Sequence, residues 1–68
     1  MYFTKVAKTD HYRLYHEHSF PWSAVLELIY SCKEWRRIDN RLKIESDKYY
    51  ILCEVKENTL YIINAKWK

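Results

Sequence analysis

Apolar residues recur every three or four positions between Trp22 and Cys32. Ala24, Val25, Leu28, Ile29 and Cys32 share one face, with Trp22, Leu26 and Tyr30 as a second row beside it. This spacing predicts an amphipathic helix over residues 21–32. The stretch "SFPW" separates it from an earlier helix, because proline disfavours helical geometry at Phe20 yet suits the first position of a new helix. That earlier helix is expected from Asp10 to about His18, capped by Thr9 or Asp10, with Leu14 and Tyr15 turned inward.

Beyond Trp35 the period shortens to two. Leu42 and Ile44 alternate with charged residues; Ile51, Cys53 and Val55 oppose Tyr50, Leu52 and Glu54; Tyr61, Ile63, Ala65 and Trp67 oppose Leu60, Ile62, Asn64 and Lys66. Three strands follow, joined at "SDK" and "KENT", where Asp47 and Asn58 are expected to take the conformations that glycine usually supplies. Short connections pair such strands antiparallel. The expected architecture is α+β: two N-terminal helices packed on one face of a three-stranded antiparallel sheet, with "YFTKV" leaving open a fourth, edge strand.

Composition sharpens this picture. A chain of 68 residues is read as one small domain (1–68), and at this size it buries only about 60% of its unfolded surface. Its core must therefore be dense, and 49% hydrophobic and 18% aromatic content supplies the material. A deep catalytic cleft does not fit such a chain, so a shallow surface, or one completed by a partner, is expected. There is no apolar run long enough to span a bilayer and no signal-peptide core at the start, so a cytoplasmic location without membrane contact is expected. Two cysteines, Cys32 and Cys53, read as core thiols under reducing conditions rather than as a disulfide framework. The absence of glutamine and the wealth of Lys, Glu, Ile and Tyr lean toward a thermophilic composition.

Two constellations could carry chemistry. "HYRLYHEHSF" places His11, His16 and His18 in ten positions, but spacings of five and two are poor for zinc ligands on a continuous helix, and no CxxC or HExxH is present. No metal or other cofactor is expected. The second is basic. Lys33, Arg36, Arg37, Arg41 and Lys43 surround Trp35, and Lys66, Trp67 and Lys68 close the chain. Cations neutralise phosphates while exposed rings stack on unpaired bases, so this interleaving suits single-stranded RNA. The bland alternative is a solvated strand edge whose charges discourage aggregation. Metal-independent RNA cleavage would further need an acid or base near the 2′-hydroxyl and a cation near the phosphate, roles open to the histidines and to Arg36, Arg37, Arg41 or Lys66.

The order of these signals resembles small prokaryotic proteins related to the RelE and BrnT toxins, and more closely the uncharacterised single-domain group among them. "TDH" opens the first helix, "EHSFPWSAVLELI" turns into the second, and "LYIINAKWK" closes the last strand. The matching positions are His11, His18-Ser19-Phe20-Pro21, Val25 and Ile62-Ile63-Asn64-Ala65; Ser19 replaces the usual turn glycine and Tyr15 a common basic residue. The resemblance covers Thr9 to Lys68. It implies a toxin-like, metal-independent endoribonuclease working beside an antitoxin-like protein, with His11 at the matching position; the catalytic candidates are therefore His11 and, from the basic cluster, Arg41. The competing expectation is a non-enzymatic interaction module that joins another protein or a second copy as a homodimer, since the aromatic content exceeds what a small two-layer core requires.

Overall fold

The computed structural model describes residues 4–31 and 36–68. Its elements are β1 (Lys5–Lys8), α1 (Asp10–Tyr15), α2 (Trp22–Ser31), β2 (Arg36–Ile38), β3 (Arg41–Glu45), β4 (Tyr49–Lys56) and β5 (Thr59–Trp67). The α+β class is as expected, but the sheet is larger and mixed: five strands in the order β1-β5-β4-β3-β2, with β1 parallel to β5 and the other pairs antiparallel. β1 and β2 are too short to show a period, with "KVAK" offering two apolar positions and "RRI" one. They gain their place by pairing with longer neighbours. The two helices carry the chain from β1 at one edge to β2 at the other, and the meander then returns beside β1.

Helix α1 starts where the capping signal places it. Thr9 is extended (φ −92°, ψ 164°), and its hydroxyl accepts from the Tyr12 N–H at 3.2 Å. The same hydroxyl donates to the Ile62 carbonyl at 2.7 Å, tying the cap to β5. The helix ends at Tyr15 rather than His18, because the N–H groups of His16 and Glu17 both converge on the Tyr12 carbonyl at 2.9 Å. The inward residue is Tyr12, fully buried; Leu14 and Tyr15, expected inside, are exposed.

The turn that follows drops Phe20 into the core, where its carbonyl accepts the Tyr12 hydroxyl at 2.6 Å. Pro21 then stands just outside α2 and its carbonyl receives the N–H groups of Ala24 and Val25. Val25 and Ile29, one turn apart, are fully buried as their spacing predicts. Cys32 lies outside the described residues.

The strands pack Leu42, Ile44, Ile51, Cys53, Leu60, Ile62 and Ala65 beneath the helices. Simple alternation fails in β5. Leu52 pairs with Asn64 and Cys53 with Ile62, so Ile63 is the extra residue of a β-bulge. Leu60 and Ile62 therefore share the core face with Ala65, while Asn64 turns away from it.

Without glycine, left-handed backbone falls to Asp39 (φ 56°), Glu57 (φ 51°) and Asn58 (φ 63°). Asn58 meets its expectation. Asp47 does not, because the Ser46 hydroxyl organises that turn by accepting from the N–H groups of Lys48 and Tyr49.

Two outcomes follow. Glu57 is a costly residue for positive φ, and Glu57→Asn is expected to stabilise the protein by about 0.5–1 kcal/mol, raising Tm by roughly 2–8 °C in calorimetry. Burial, aided by Glu17, pushes the Tyr12 hydroxyl up to about 12. A raised folded value contributes stability below the unfolded value of about 10 and loses it as pH rises toward 12. Tyr12→Phe should therefore cost about 1 kcal/mol at pH 8, with the deficit narrowing between about pH 10 and 12 in denaturant titrations.

Candidate nucleic-acid interface

One face of the sheet carries the helices. No described helix covers the other, and alternation along paired strands decides which side chains share it. Cross-strand partners place Arg36, Arg41, Lys43 and Glu45 on this open face with Tyr50, Leu52, Glu54, Asn64 and Lys66. Arg36 stands opposite Lys43, Lys43 opposite Leu52, and Tyr50 between Glu45 and Lys66. Residues far apart in the chain thus form one basic field.

Two of its cations meet over Tyr50. The Lys43 ammonium lies 5.6 Å and the Lys66 ammonium 5.5 Å from the ring centroid, within cation–π range for both. Glu45 supplies the local counter-charge: its carboxylate accepts from Lys68 Nζ at 2.8 Å and lies 3.7 Å from Lys43 Nζ. The hydrogen bond from Lys68, followed by the charges of Lys68, Lys43 and Arg36, holds this carboxyl below its usual range against a smaller opposing effect of burial. Arg41 faces Glu54 at 4.0 Å, a loose and mostly exposed pair of small energetic weight. Toward β1 the same face opens into a depression of about 400 Å³ lined by Thr9, Glu54, Lys56, Glu57, Tyr61 and Ile63. Asn64 Oδ1, on this face, is inaccessible and has no hydrogen-bond partner among the described residues.

The expected binding residues divide. Arg36, Lys43, Lys66 and Lys68 gather around Tyr50 and Glu45, whereas Arg41 lies on the same face further along β3, opposite Glu54. Arg37 shares the side of Leu42, toward the helices, and its Nε donates to the Asp39 carbonyl at 2.8 Å. Trp67 also turns to the helix side. Its ring stacks on Phe20 with centroids 4.2 Å apart and an interplanar angle of 16°, and its Nε1–H donates to the Ser19 carbonyl at 3.0 Å. Half of this indole is nevertheless exposed. Lys33 and Trp35 lie outside the described residues.

The catalytic candidates are separated. His11 is exposed on α1, in the helix layer, whereas Arg41 is on the open face across the sheet. His11 instead meets His16, with Nε2 atoms 3.2 Å apart, while Tyr15 stacks obliquely on its ring at 5.0 Å. Cys53 is buried and burial pushes its thiol up to about 12, which leaves it protonated at neutral pH and unsuited to nucleophilic attack.

Sequence reasoning missed Tyr50 as the organising ring. The signal was present: Tyr50 alternates with the core residues Ile51 and Cys53, and a hairpin register through "SDK" sets it across from Glu45. What the linear chain did not display was Lys66 arriving from β5. Among the described residues no helix is long and apolar enough to cross a membrane. Comparison of the chain with protein-family models, with curated proteins and with solved structures finds no match.

Proposed function

We propose that the open face of the sheet binds single-stranded RNA, in a module of the toxin type suggested by the order of its helices and strands. The observation that carries this reading is the meeting of Lys43 and Lys66 over Tyr50 with Arg36 beside Lys43, three cations from three different strands, and Arg41 further along the same face. Phosphates take the cations, and a base has an aromatic platform at the centre. Glu45 tempers the field, so a nucleic acid must compete with it for Lys43 and Lys68.

Cleavage requires more than binding. A base must reach the 2′-hydroxyl beside a cation that stabilises the phosphate, and Glu54 with Arg41, 4.0 Å apart on the open face, supports that reading better than His11 in the helix layer. For a ribonuclease of this kind the acid–base role passes to Glu54. A protein partner is favoured by a separate feature: β2 is an edge strand of three exposed residues, with Ile38 67% exposed. An antitoxin-like segment or a second copy could add there as a further strand, covering Ile38.

Fluorescence anisotropy with a labelled single-stranded RNA at about 50 and 200 mM salt is expected to show affinity falling with salt, and Lys43→Ala or Lys66→Ala each to reduce the log–log slope by about 0.7. Tyr50→Ala should cost about 1–3 kcal/mol of binding. Glu45→Gln should strengthen it, because Lys43, Lys68 and Arg36 lose their counter-charge. Salt-independent or absent binding would remove the proposal. RNA products that form equally well with Arg41→Ala and Glu54→Gln would place cleavage elsewhere.

A further inference from the structure

The histidine pair on α1 lies outside the basic face and has a geometry of its own. The spacing of five residues is unsuited to a shared ligand on a continuous helix, but the helix stops at Tyr15 and His16 takes a non-helical conformation (φ −127°, ψ −31°). This turn swings the second imidazole back over the first, and the Nε2 atoms come within 3.2 Å. With metal–nitrogen bonds of about 2.05 Å, that separation subtends an angle of about 103° at a cation, close to tetrahedral.

The pair is also held in place. The His16 N–H donates to the Tyr12 carbonyl at 2.9 Å, and its own carbonyl receives the N–H groups of Ser19 and Phe20 at 3.1 and 2.8 Å. His11 sits within α1, its ring flanked by Tyr15 at 5.0 Å. Neighbouring carboxylates already have partners: Glu17 accepts from Lys8 Nζ at 2.5 Å, and Asp10 pairs with Arg13 at 3.6 Å. Among the described residues no third His, Cys, Asp or Glu joins the two rings.

We propose that His11 and His16 chelate one borderline first-row divalent cation, such as Zn²⁺, through their Nε2 atoms, with water in the remaining positions. Imidazole is the preferred neutral ligand for such ions. Two ligands and open positions define an exchangeable surface site, not a structural zinc. A hydrogen bond between the rings requires an Nε2–H on one of them, so cation binding moves that proton to Nδ1 through solvent and leaves both Nε2 lone pairs available to the cation. The site does not depend on RNA binding.

The test uses the full chain with Cys32→Ser, which removes a competing thiol. Zinc chloride is titrated in by calorimetry, while imidazole ¹⁵N NMR follows each ring. One Zn²⁺ per chain is expected, with the Nε2 signals of His11 and His16 moving together and those of His18 still. His11→Ala and His16→Ala should each weaken binding by about tenfold or more, since either removes the chelate, whereas His18→Ala should leave it unchanged. Zinc binding undiminished in His16→Ala, a response centred on His18, or no binding in the millimolar range would each overturn the proposal.

Discussion

Strand β5 is the element on which the rest of the structure depends, and its bulge is the constraint that makes it work. It pairs on one side with β1 and on the other with β4, so its side chains must satisfy the core along its whole length. Strict alternation cannot do this. Leu60 and Ile62 would carry Asn64 and Lys66 into the same layer, burying an amide and an ammonium under the helices at a cost of several kcal/mol. The extra residue Ile63 resets the phase, so that Ala65 follows Ile62 inward and Asn64 and Lys66 turn to the open face. One inserted residue thus protects the core and delivers Lys66 to Tyr50.

The same strand fixes the helices. The Ile62 carbonyl receives both the N–H and the hydroxyl of Thr9, so the capping residue of α1 is bonded to the sheet just before the bulge. From that anchor Tyr12 projects into the core and donates to the Phe20 carbonyl. Phe20 in turn stacks on Trp67, whose indole N–H returns to the Ser19 carbonyl. A closed path of rings and hydrogen bonds therefore links the start of α1, the turn before α2 and the end of β5. In a chain this small, such rings supply burial that a larger domain would spread over many aliphatic contacts.

Much of the fold was legible because it rests on period and capping. Val25 and Ile29 recur at helical spacing, Leu42 and Ile44 at strand spacing, and Thr9 offers a hydroxyl where a helix must start. What was not legible came from elements with too few residues to show a period or from non-local geometry. β1 and β2 contribute three apolar residues between them, so their pairing is set by their neighbours. Hydrophobicity alone points Leu14 inward, but α1 ends early and turns Tyr12 to the core instead, where its hydroxyl satisfies the Phe20 carbonyl. The bulge leaves no mark in composition at all. For the candidate site, the cations were visible as a cluster in the chain, whereas their common ring, Tyr50, and the exit of Arg37 and Trp67 to the other side depended on register.

The histidines make the complementary point. A spacing rule tests whether two side chains can meet on an ideal helix, and it no longer applies where the helix ends between them. His16 lies one residue beyond Tyr15, in a turn whose shape follows from the need to bury Phe20 ahead of Pro21. Its meeting with His11 is therefore a by-product of core packing, held by the same hydrogen bonds that insert Phe20. The sheet then separates this pair from the basic face, so cations that attract phosphate and imidazoles with accessible nitrogens occupy opposite sides of a thin two-layer structure. In the proposed readings, an RNA lying along β3, β4 and β5 meets no histidine, and a cation held at the α1 turn meets no phosphate. Each surface can be altered without disturbing the other's charge.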